Sequence, residues 1–189
     1  ELNLVIVDGG SIIFPPSDDP NHHRQFHAHY VFVNNGYFEA GTEDEPYTSK
    51  LTITMYGEKR DPFMPIYGNK CIGVRYSTID IHGETRTPTW SELESTALAA
   101  QNQITIKEAV DWRAGEVIII ASTDFEKSQT EKRTIVSVDR TNIDKPVITL
   151  DSDLEFMHYA GVDFYGNDGD YTEIRAEVGL LSRNIVYQG

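Results

Sequence analysis

Four histidines stand within eight residues of the sequence, a density that could support metal binding. They are His22, His23, His27 and His29, in the segment HHRQFHAH. On a β-strand His27 and His29 point to the same face, and neutral imidazole is a common ligand of zinc and copper. A solvated loop that enters a strand explains the same residues without a metal. We therefore predict no zinc or copper site. The alternative is metal binding, for which His27 and His29 are the candidate ligands.

Carboxylates and an amide cluster in a second segment, DFYGNDGDY, and calcium prefers such hard oxygen ligands. The candidate ligands are Asp163, Asn167, Asp168 and Asp170. The segment lacks the spacing of the EF-hand loop, which ends in a bidentate glutamate. Asp, Asn and Gly are also the residues that turns favour. The sequence thus predicts a flexible acidic loop, with bound calcium as the alternative and no other cofactor.

The charge of the chain restricts its partners. Its 189 residues carry a formal net charge of -14 at pH 7. This charge repels phosphate backbones and no basic stripe relieves it, so nucleic acid is excluded as a partner. No window approaches the ~18 apolar residues of a membrane span, so we expect no membrane contact by this part of the protein. The single cysteine, Cys71, supports no disulfide framework. The sequence starts without a methionine or a signal segment, as a piece of a longer protein would.

One pattern recurs along the sequence and predicts the elements that position these side chains. Its copies are LVIVDGGSIIF at 4–14, YVFVNNGYFEAG at 30–41, IGVRYSTIDIHG at 72–83 and, more loosely, VGLLSRNIVYQG at 178–189. Each copy has alternating apolar residues, a polar or glycine corner, and a second alternating run. When the copies are superposed, Val7, Val33 and Val74 coincide before the corner, and Ile12, Phe38 and Ile79 coincide after it.

These repeated strand–corner–strand units, or rungs, predict a short right-handed parallel β-helix, in which each coil buries the face of the next. Glycine and asparagine stand at the corners because the chain turns there with positive φ, which β-branched residues disfavour. The hairpin strands of a β-sandwich are the alternative that periodicity leaves open.

A different pattern interrupts the rungs between residues 87 and 158. The strand-like runs ITI, VIIIAS, RTIVSV and VITL predict an inserted antiparallel β subdomain. At its start, TPTWSELESTALAAQN predicts one short helix, because Thr89 or Ser91 could cap it and alanine has a high helix propensity. We expect residues 159–173 to form a return loop.

The predicted fold is therefore all-β and forms one domain over residues 1–189. The coils of the β-helix occupy 1–86 and 174–189, and the chain rejoins them at Val178. The subdomain leaves and re-enters at a surface corner, where an insertion need not disturb the stacked faces.

Several segments together resemble one known family, the extracellular eight-glycine domain of fibrocystin-like surface proteins and cell-surface hyaluronidases. The matching segments, in the order of the family, are GYFEAGTEDEP, LTITMYG, PIYGNKCIGV, IDIHG, PTWSELESTA, VDWRAGEVIIIAST and RAEVGLLSRNIVYQG. They span nearly the whole chain. The sequences GTEDEP and TITMYGEKR are more similar to those of fibrocystin-like proteins than to those of the hyaluronidases.

The resemblance assigns the corner glycines. Those that fall where the family pattern expects them are Gly10, Gly36, Gly41, Gly57, Gly68, Gly83 and Gly115. Asp124 stands where the eighth glycine would be usual. We expect these glycines to have a structural role at corners.

The hyaluronidase relatives raise the question of catalysis. Glycoside cleavage commonly needs two carboxylates across the scissile bond, with a donor to hold an acidic sugar. By this resemblance, Arg183 matches a position at the start of the region where those enzymes assemble their active site. Arg183 is therefore a candidate glycan contact. The carboxylates that the resemblance requires would lie beyond Gly189. We therefore predict no catalytic residue here and no enzyme activity, with part of a hyaluronan-binding or hyaluronan-degrading ectodomain as the alternative function.

The resemblance implies a structural or interaction module of a large single-span protein of the plasma membrane, exposed outside the cell on cilia or stereocilia. Its expected partners are neighbouring domains of the parent chain and an unidentified extracellular protein or glycan. Six tyrosines in or near the rungs could stack on a sugar or a partner, or form aromatic ladders inside the coils: Tyr30, Tyr37, Tyr47, Tyr56, Tyr67 and Tyr76. A bacterial or phage β-helix that binds polysaccharide is a third reading, which the family segments fit less well.

Overall fold

A computed structural model describes residues 2–17, 19, 22–165 and 169–189, and the fold is all-β. In chain order the strands are β1 (Leu2–Asp8), β2 (Ser11–Ile13), β3 (His23–Asn34), β4 (Tyr37–Ala40), β5 (Lys50–Met55), β6 (Cys71–Arg75), β7 (Thr78–Ile81), β8 (Trp90–Glu92), β9 (Gln103–Thr105), β10 (Val117–Ile120), β11 (Glu131–Asp139), β12 (Val147–Leu150), β13 (Ala160–Tyr165), β14 (Asp170–Arg175), β15 (Glu177–Leu180) and β16 (Ile185–Gln188). The chain forms two compact units, Glu1–Thr85 with Arg183–Gly189, and Arg86–Ser182.

The first unit contains two parallel sheets. In the larger sheet the long strand β3 pairs with β1 on one edge, and on the other edge with β5 and then β6 along its length. Strand β16 pairs with the far edge of β5. The smaller sheet has the order β2-β4-β7, again with parallel pairing. Because these neighbours run parallel, they are not hairpin strands, and the sandwich alternative is wrong for this unit.

The register predicted from the sequence repeat is confirmed. Before the corner, Val7 pairs with Val33 and Val33 with Val74; after it, Ile12 pairs with Phe38 and Phe38 with Ile79. Side chains of equivalent residues therefore point the same way in successive rungs. Inward-facing side chains form one core, and the partly buried Phe14 and Phe26 pack against the buried Phe38, with ring centroids 5.5–5.8 Å apart.

The second unit contains a six-stranded antiparallel sheet that closes on itself. Its order is β8-β15-β10-β11-β12-β9, and an antiparallel bridge between Leu93 and Ile106 joins the two ends. Apolar side chains fill the interior of the closed sheet. Among them is the fully buried Trp112, whose indole Nε1 donates a hydrogen bond of 2.7 Å to the Pro88 carbonyl. Closure removes exposed strand edges, which otherwise invite pairing with other chains.

The predicted helix in TPTWSELESTALAAQN is wrong. The segment instead contributes β8 and single bridges at Leu93 and Ala97. Ser91, Leu93 and Ala97 are buried, and β8 pairs with β15, so tertiary packing overrides a local preference that a short helix could not sustain alone. Within the described residues the helical structure is a single 3₁₀ turn at Lys127–Gln129, far shorter than a membrane-spanning helix.

The chain returns from the second unit differently from expectation. Residues 159–173, expected as a loop, contain most of a two-stranded antiparallel hairpin of β13 and β14. Val178 does not rejoin the coils: it lies in β15, where Val178 and Leu180 face the core of the second unit. Only β16 returns to the first unit. The fourth sequence repeat is therefore divided between two sheets, and its apolar first half is buried elsewhere.

A buried ionisable cluster links separate segments of the second unit. Glu131 accepts hydrogen bonds from the backbone N–H groups of Glu155 and Phe156, both at 2.9 Å, and pairs with Arg133. His158 has no exposed surface; its Nδ1 lies 2.9 Å from the Ala121 carbonyl, and its Nε2 lies 2.9 Å from Glu131 Oε1. Burial raises the pKa of the Glu131 carboxyl, but these donors outweigh it and hold the pKa below its ordinary value.

Candidate functional site

The corners of three rungs lie above one another in the first unit. The residues in the left-handed region are Gly9 (φ 68°), Asn35 (φ 50°) and Tyr76 (φ 50°). Backbone hydrogen bonds join successive corners, from Gly9 N to the Asn34 carbonyl at 2.9 Å and from Asn35 N to the Arg75 carbonyl at 3.2 Å. The corner is thus a continuous ladder, and each rung supplies one residue with positive φ.

Two glycines that the family pattern treats alike have different roles at this corner. A Cβ on Gly36 would lie 2.0 Å from the Gly10 carbonyl oxygen, whereas a Cβ on Gly10 would find only ordinary contact with Val7 at 3.8 Å. Neither has positive φ, and the left-handed residue of the first rung is Gly9. Gly36 is therefore required by the close approach of the backbones, and not by the positive φ that the sequence predicts at the corner.

The other predicted corner glycines lie at several turns and bridges. Gly41, Gly57, Gly68 and Gly115 have positive φ, and Gly83 forms a parallel bridge with Tyr47. A Cβ on Gly83 would lie 2.6 Å from Asn184 Oδ1. Gly115 belongs to the second unit, so the pattern is not confined to one stack.

The six rung tyrosines divide into two groups. Tyr47 is fully buried, Tyr30 donates to the Pro62 carbonyl, Tyr56 lies against His27, and Tyr67 packs on Phe32 with ring centroids 5.3 Å apart. Tyr37 and Tyr76 remain exposed, at 54% and 79%. Both line one cavity of about 580 Å³ at the corner, with Asn35, Gly36, Ser77 and Thr78.

The candidate metal-binding histidines are engaged with aromatic and amide groups. His27 Nδ1 lies 2.8 Å from the Tyr56 hydroxyl and its Nε2 lies 3.1 Å from Gln25 Oε1. The rings of His27 and His29 lie 5.7 and 5.8 Å from the ring of Tyr56. The two histidines do share a face, as predicted. Across the described part of the chain, no three His, Cys, Asp or Glu side chains come together as a metal site would need.

Two of the four candidate calcium ligands, Asp163 and Asp170, lie on the hairpin strands of the second unit. Asp163 is in β13 and accepts a hydrogen bond of 3.1 Å from the Tyr159 hydroxyl, while Asp170 is in β14. That hydrogen bond, with some burial and the charge of Asp163, raises the pKa of Tyr159. Asn167 and Asp168 lie outside the described residues. Calcium binding here stays the alternative to the predicted absence of a cofactor.

The hairpin carries an unusual amount of exposed apolar surface. Val162, Phe164 and Tyr171 share one face, on which the rings of Phe164 and Tyr171 lie 6.1 Å apart. The opposite face presents Tyr165 and Ile174 with the carboxylates of Asp163 and Asp170. All five apolar or aromatic side chains are exposed, and β13 and β14 pair only with each other among the described strands. An isolated two-stranded ribbon is marginal in water, so this surface is suited to a partner. We call it the hairpin surface.

Ion pairs fix the base of the hairpin surface. Lys107 Nζ lies 2.8 Å from Glu92 Oε2 and 2.8 Å from Glu173 Oε2, and Arg175 Nη1 donates to the Leu93 and Glu94 carbonyls at 3.0 and 2.6 Å. The hydrogen bond from Lys107 lowers the pKa of Glu173 against the opposing effect of burial. These contacts hold β14 to the closed sheet, so the hairpin has a defined direction at its base.

Arg183, the candidate glycan contact, is exposed and directly precedes a residue that the sequence analysis missed. Asn184 Nδ2 donates to the carbonyls of Tyr47 and Ser49 at 2.5 and 2.9 Å, and its Oδ1 accepts from Glu84 N at 2.9 Å. One side chain thus holds two distant segments of the first unit together. Nothing near Asn184 in the sequence signals this role, because all three partners are backbone groups.

We expect Asn184→Ala to destabilise the first unit by about 3 kcal/mol, since three hydrogen bonds worth about 1 kcal/mol each are lost. Urea unfolding, monitored by hydrogen exchange of amides in the first unit, measures the change in the free energy of unfolding. The matched control is Asn142→Ala, because Asn142 makes one exposed turn hydrogen bond to Asp144 N in the second unit. Equal effects of the two substitutions would contradict the assignment.

Comparison with known proteins identifies relatives of this chain. Residues 1–94 match the family model of the G8 domain. Fibrocystin-L of Mus musculus is 40% identical over 190 residues, and Fibrocystin-L of Homo sapiens is 37% identical over 191 residues. Fibrocystin of Mus musculus is 31% identical over 195 residues. Each alignment covers 100% of this chain and 4% of the relative, so the chain spans a small part of the curated relatives it matches.

The solved structures that match include the tailspike of an Acinetobacter baumannii bacteriophage in complex with capsular saccharide. The match covers 99% of this chain and 23% of the tailspike, with 11% sequence identity and a TM-score of 0.35.

Proposed function

Because the chain belongs to the G8-domain family of fibrocystin-like proteins, we propose that it is a non-catalytic structural and interaction module of a large extracellular surface protein. The observation that carries the proposal is the in-register stack of rungs in the first unit. Such a stack gives a stiff support, because every rung is hydrogen-bonded and packed against the next. The parent protein would lie on cilia or stereocilia, as the family resemblance implies.

The first unit, in this proposal, is a short segment of a right-handed parallel β-helix. Two sheets in register, joined by stacked corners, are the arrangement that such a solenoid requires. Within the described residues, β1 and β2 have no strand on their outer edges, and neither has β7. Unpaired edges recruit further strands. Neighbouring domains of the parent chain are therefore the partners proposed for these edges.

Catalytic activity is the outcome that would overturn this proposal. The test incubates the purified chain with hyaluronan and chondroitin sulfate, with and without calcium, and measures polymer length. We expect no shortening. Shortening that Arg183→Ala abolishes would favour the hyaluronan-degrading alternative instead, and calcium-dependent stabilisation of the chain would support an ion site near Asp163 and Asp170.

The hairpin surface is the proposed contact with a protein partner, and its chemistry selects an extended basic segment. Asp163 and Asp170 lie on one face beside the ring of Tyr165, a combination that suits arginine through ion pairing and cation–π contact. The net charge of -14 favours approach of a basic chain. The outer edges of β13 and β14 can each accept an added strand, whose apolar side chains would pack on Phe164 and Tyr171.

We expect Phe164→Ser to weaken binding of a short peptide of alternating arginine and valine by about tenfold, because a hot-spot aromatic is worth more than 1.4 kcal/mol. Isothermal titration calorimetry at two salt concentrations measures the effect. The matched control is Phe125→Ser, since Phe125 is fully exposed in the same unit but outside the hairpin.

A second control separates strand addition from charge attraction. The same peptide with alternate backbone nitrogens methylated keeps its charge but cannot pair with a strand edge. If the methylated peptide binds as tightly as the original, or if Phe164→Ser behaves like Phe125→Ser, the hairpin surface is not a strand-addition site.

A further inference from the structure

The corner of the third rung carries a residue that its backbone conformation disfavours. Gly9 and Asn35 occupy the left-handed position in the first two rungs, and both residue types tolerate it. The third rung has Tyr76 there, with φ 50°. A bulky residue in this region is a true outlier, and such outliers are concentrated at functional sites. The tyrosine side chain is 79% exposed, so burial in the core does not explain its presence.

A second exposed aromatic residue lies at the same corner. Tyr37 follows the second corner directly, and it pairs with Thr78 across strands β4 and β7. Tyr37 and Tyr76 both line the cavity of about 580 Å³. The guanidinium of Arg75 lies 5.1 Å from the centre of the Tyr76 ring and supports it from one side. Two aromatic rings next to a polar hollow are suited to stacking on the apolar faces of sugar rings.

The polar groups around the tyrosines indicate which sugars fit. Phe38 and Ala40 are buried, so the alternating residues Tyr37 and Glu39 point outward. Glu39 lies opposite Asp80 of the neighbouring strand β7, on the same face of the sheet. Carboxylates accept hydrogen bonds from sugar hydroxyl groups but repel anionic sugars. The net charge of the chain acts in the same direction.

We propose that Tyr37 and Tyr76 form a binding site for neutral saccharides on the outer face of the β2-β4-β7 sheet. Asn35 and Thr78 supply an amide and a hydroxyl at the cavity wall, and the row of Glu39 and Asp80 extends the polar surface along the sheet. Ser77 keeps the corner in place, because its hydroxyl donates to the Arg75 or Val33 carbonyl, at 2.8 and 3.1 Å, and accepts from Gly36 N at 3.0 Å. The site is independent of the hairpin surface, which belongs to the other unit.

The test measures binding of cellohexaose, chitohexaose and mannohexaose by NMR, with hyaluronan hexasaccharide as the anionic comparison. We expect at least one neutral probe to shift the ring signals of Tyr37 and Tyr76, and to bind more tightly than the hyaluronan probe. Tyr76→Asn should weaken that binding by about tenfold, the loss of one stacked ring. Tyr187→Asn, which removes another exposed tyrosine from β16 of the same unit, should leave it unchanged.

The thermal stability of Tyr76→Asn decides between a ligand-binding and a structural role. Asparagine suits a positive φ, so we expect the variant to melt at the same or a higher temperature than the parent protein while binding is lost. Lower stability would make Tyr76 a structural residue and overturn the proposal, as would tight binding by the variant or no binding of any neutral probe. None of these results depends on the hairpin surface, so the two proposals can fail separately.

Discussion

Glu131→Gln is expected to destabilise the second unit by about 3–5 kcal/mol, because removing one member of a buried charge pair leaves its partners uncompensated. Four donors converge on the Glu131 carboxylate: two backbone N–H groups, Arg133 and His158. A glutamine amide has one accepting oxygen and places its NH₂ group against the remaining donors. Because both tryptophans, Trp90 and Trp112, lie in this unit, tryptophan fluorescence during urea unfolding reports the change.

The matched control is Glu94→Gln, the same chemical change at an exposed ion pair with Lys145. We expect it to cost less than about 1 kcal/mol, because solvent screens exposed pairs. Combining Glu131→Gln with His158→Gln should cost less than the sum of the two single changes, with a coupling of about 0.5–3 kcal/mol. Additive effects would show that the 2.9 Å contact between these side chains contributes nothing to stability.

The pH dependence of the parent protein follows from the lowered pKa of Glu131. A carboxyl whose folded-state pKa lies below its unfolded-state value, about 4.3, binds fewer protons in the folded state at pH values between the two. Its contribution is therefore complete above the unfolded-state value and is lost as the pH falls through the folded-state pKa. The stability difference between the parent protein and Glu131→Gln should shrink below pH of about 4. A difference that grows on acidification would contradict this account.

The rungs could be predicted from the sequence because their signal is local and repeated. Val7, Val33 and Val74 stand at the same distance before a corner. The alternation of apolar and polar residues that buries one face of each strand also sets the register in which neighbouring strands pair. Local pattern and long-range pairing agree in this unit, so the aligned copies predict the register directly. At Val178 the prediction is wrong, because a copy of the pattern shows which face is apolar but not which core covers it.

The helix error has a related cause. Glu94 to Ala100 favours a helix by composition, but Leu93 and Ala97 are needed as single bridging residues that cover the core of the closed sheet. Intrinsic helix preference amounts to a few tenths of a kcal/mol per residue, and burying one leucine side chain contributes about 2 kcal/mol. Packing therefore decides the conformation, and packing partners far along the chain are not visible in the segment itself.

The buried cluster and the exposed sites were beyond sequence reasoning for a different reason. His158 and Glu131 are 27 residues apart, and their remaining partners are mostly backbone groups, which every residue possesses. The six rung tyrosines look equivalent in the sequence, yet Tyr47 is buried and Tyr76 is exposed. Which tyrosine faces solvent depends on the pairing partners and the corner geometry, and both emerge only when the rungs are stacked.

Gly36→Ala is expected to abolish the stacked corner, with a loss of stability in the first unit above about 4 kcal/mol. The new Cβ would lie 2.0 Å from the carbonyl oxygen of Gly10, a backbone atom that cannot move without shifting its whole rung. The matched substitutions order the causes: Gly10→Ala should change stability by less than about 1 kcal/mol, and Gly9→Ala should cost about 1–2 kcal/mol for its positive φ of 68°.

Amide exchange at Tyr37 and Thr78, whose N–H groups donate to the Gly10 and Gly36 carbonyls, measures these effects at the corner itself. We expect protection at both amides to disappear in Gly36→Ala and to persist in Gly10→Ala. Tryptophan fluorescence does not report this unit, because both tryptophans belong to the other. If Gly36→Ala were as stable as Gly10→Ala, the two backbones would not approach closely at the corner, and the rungs would not form one continuous ladder.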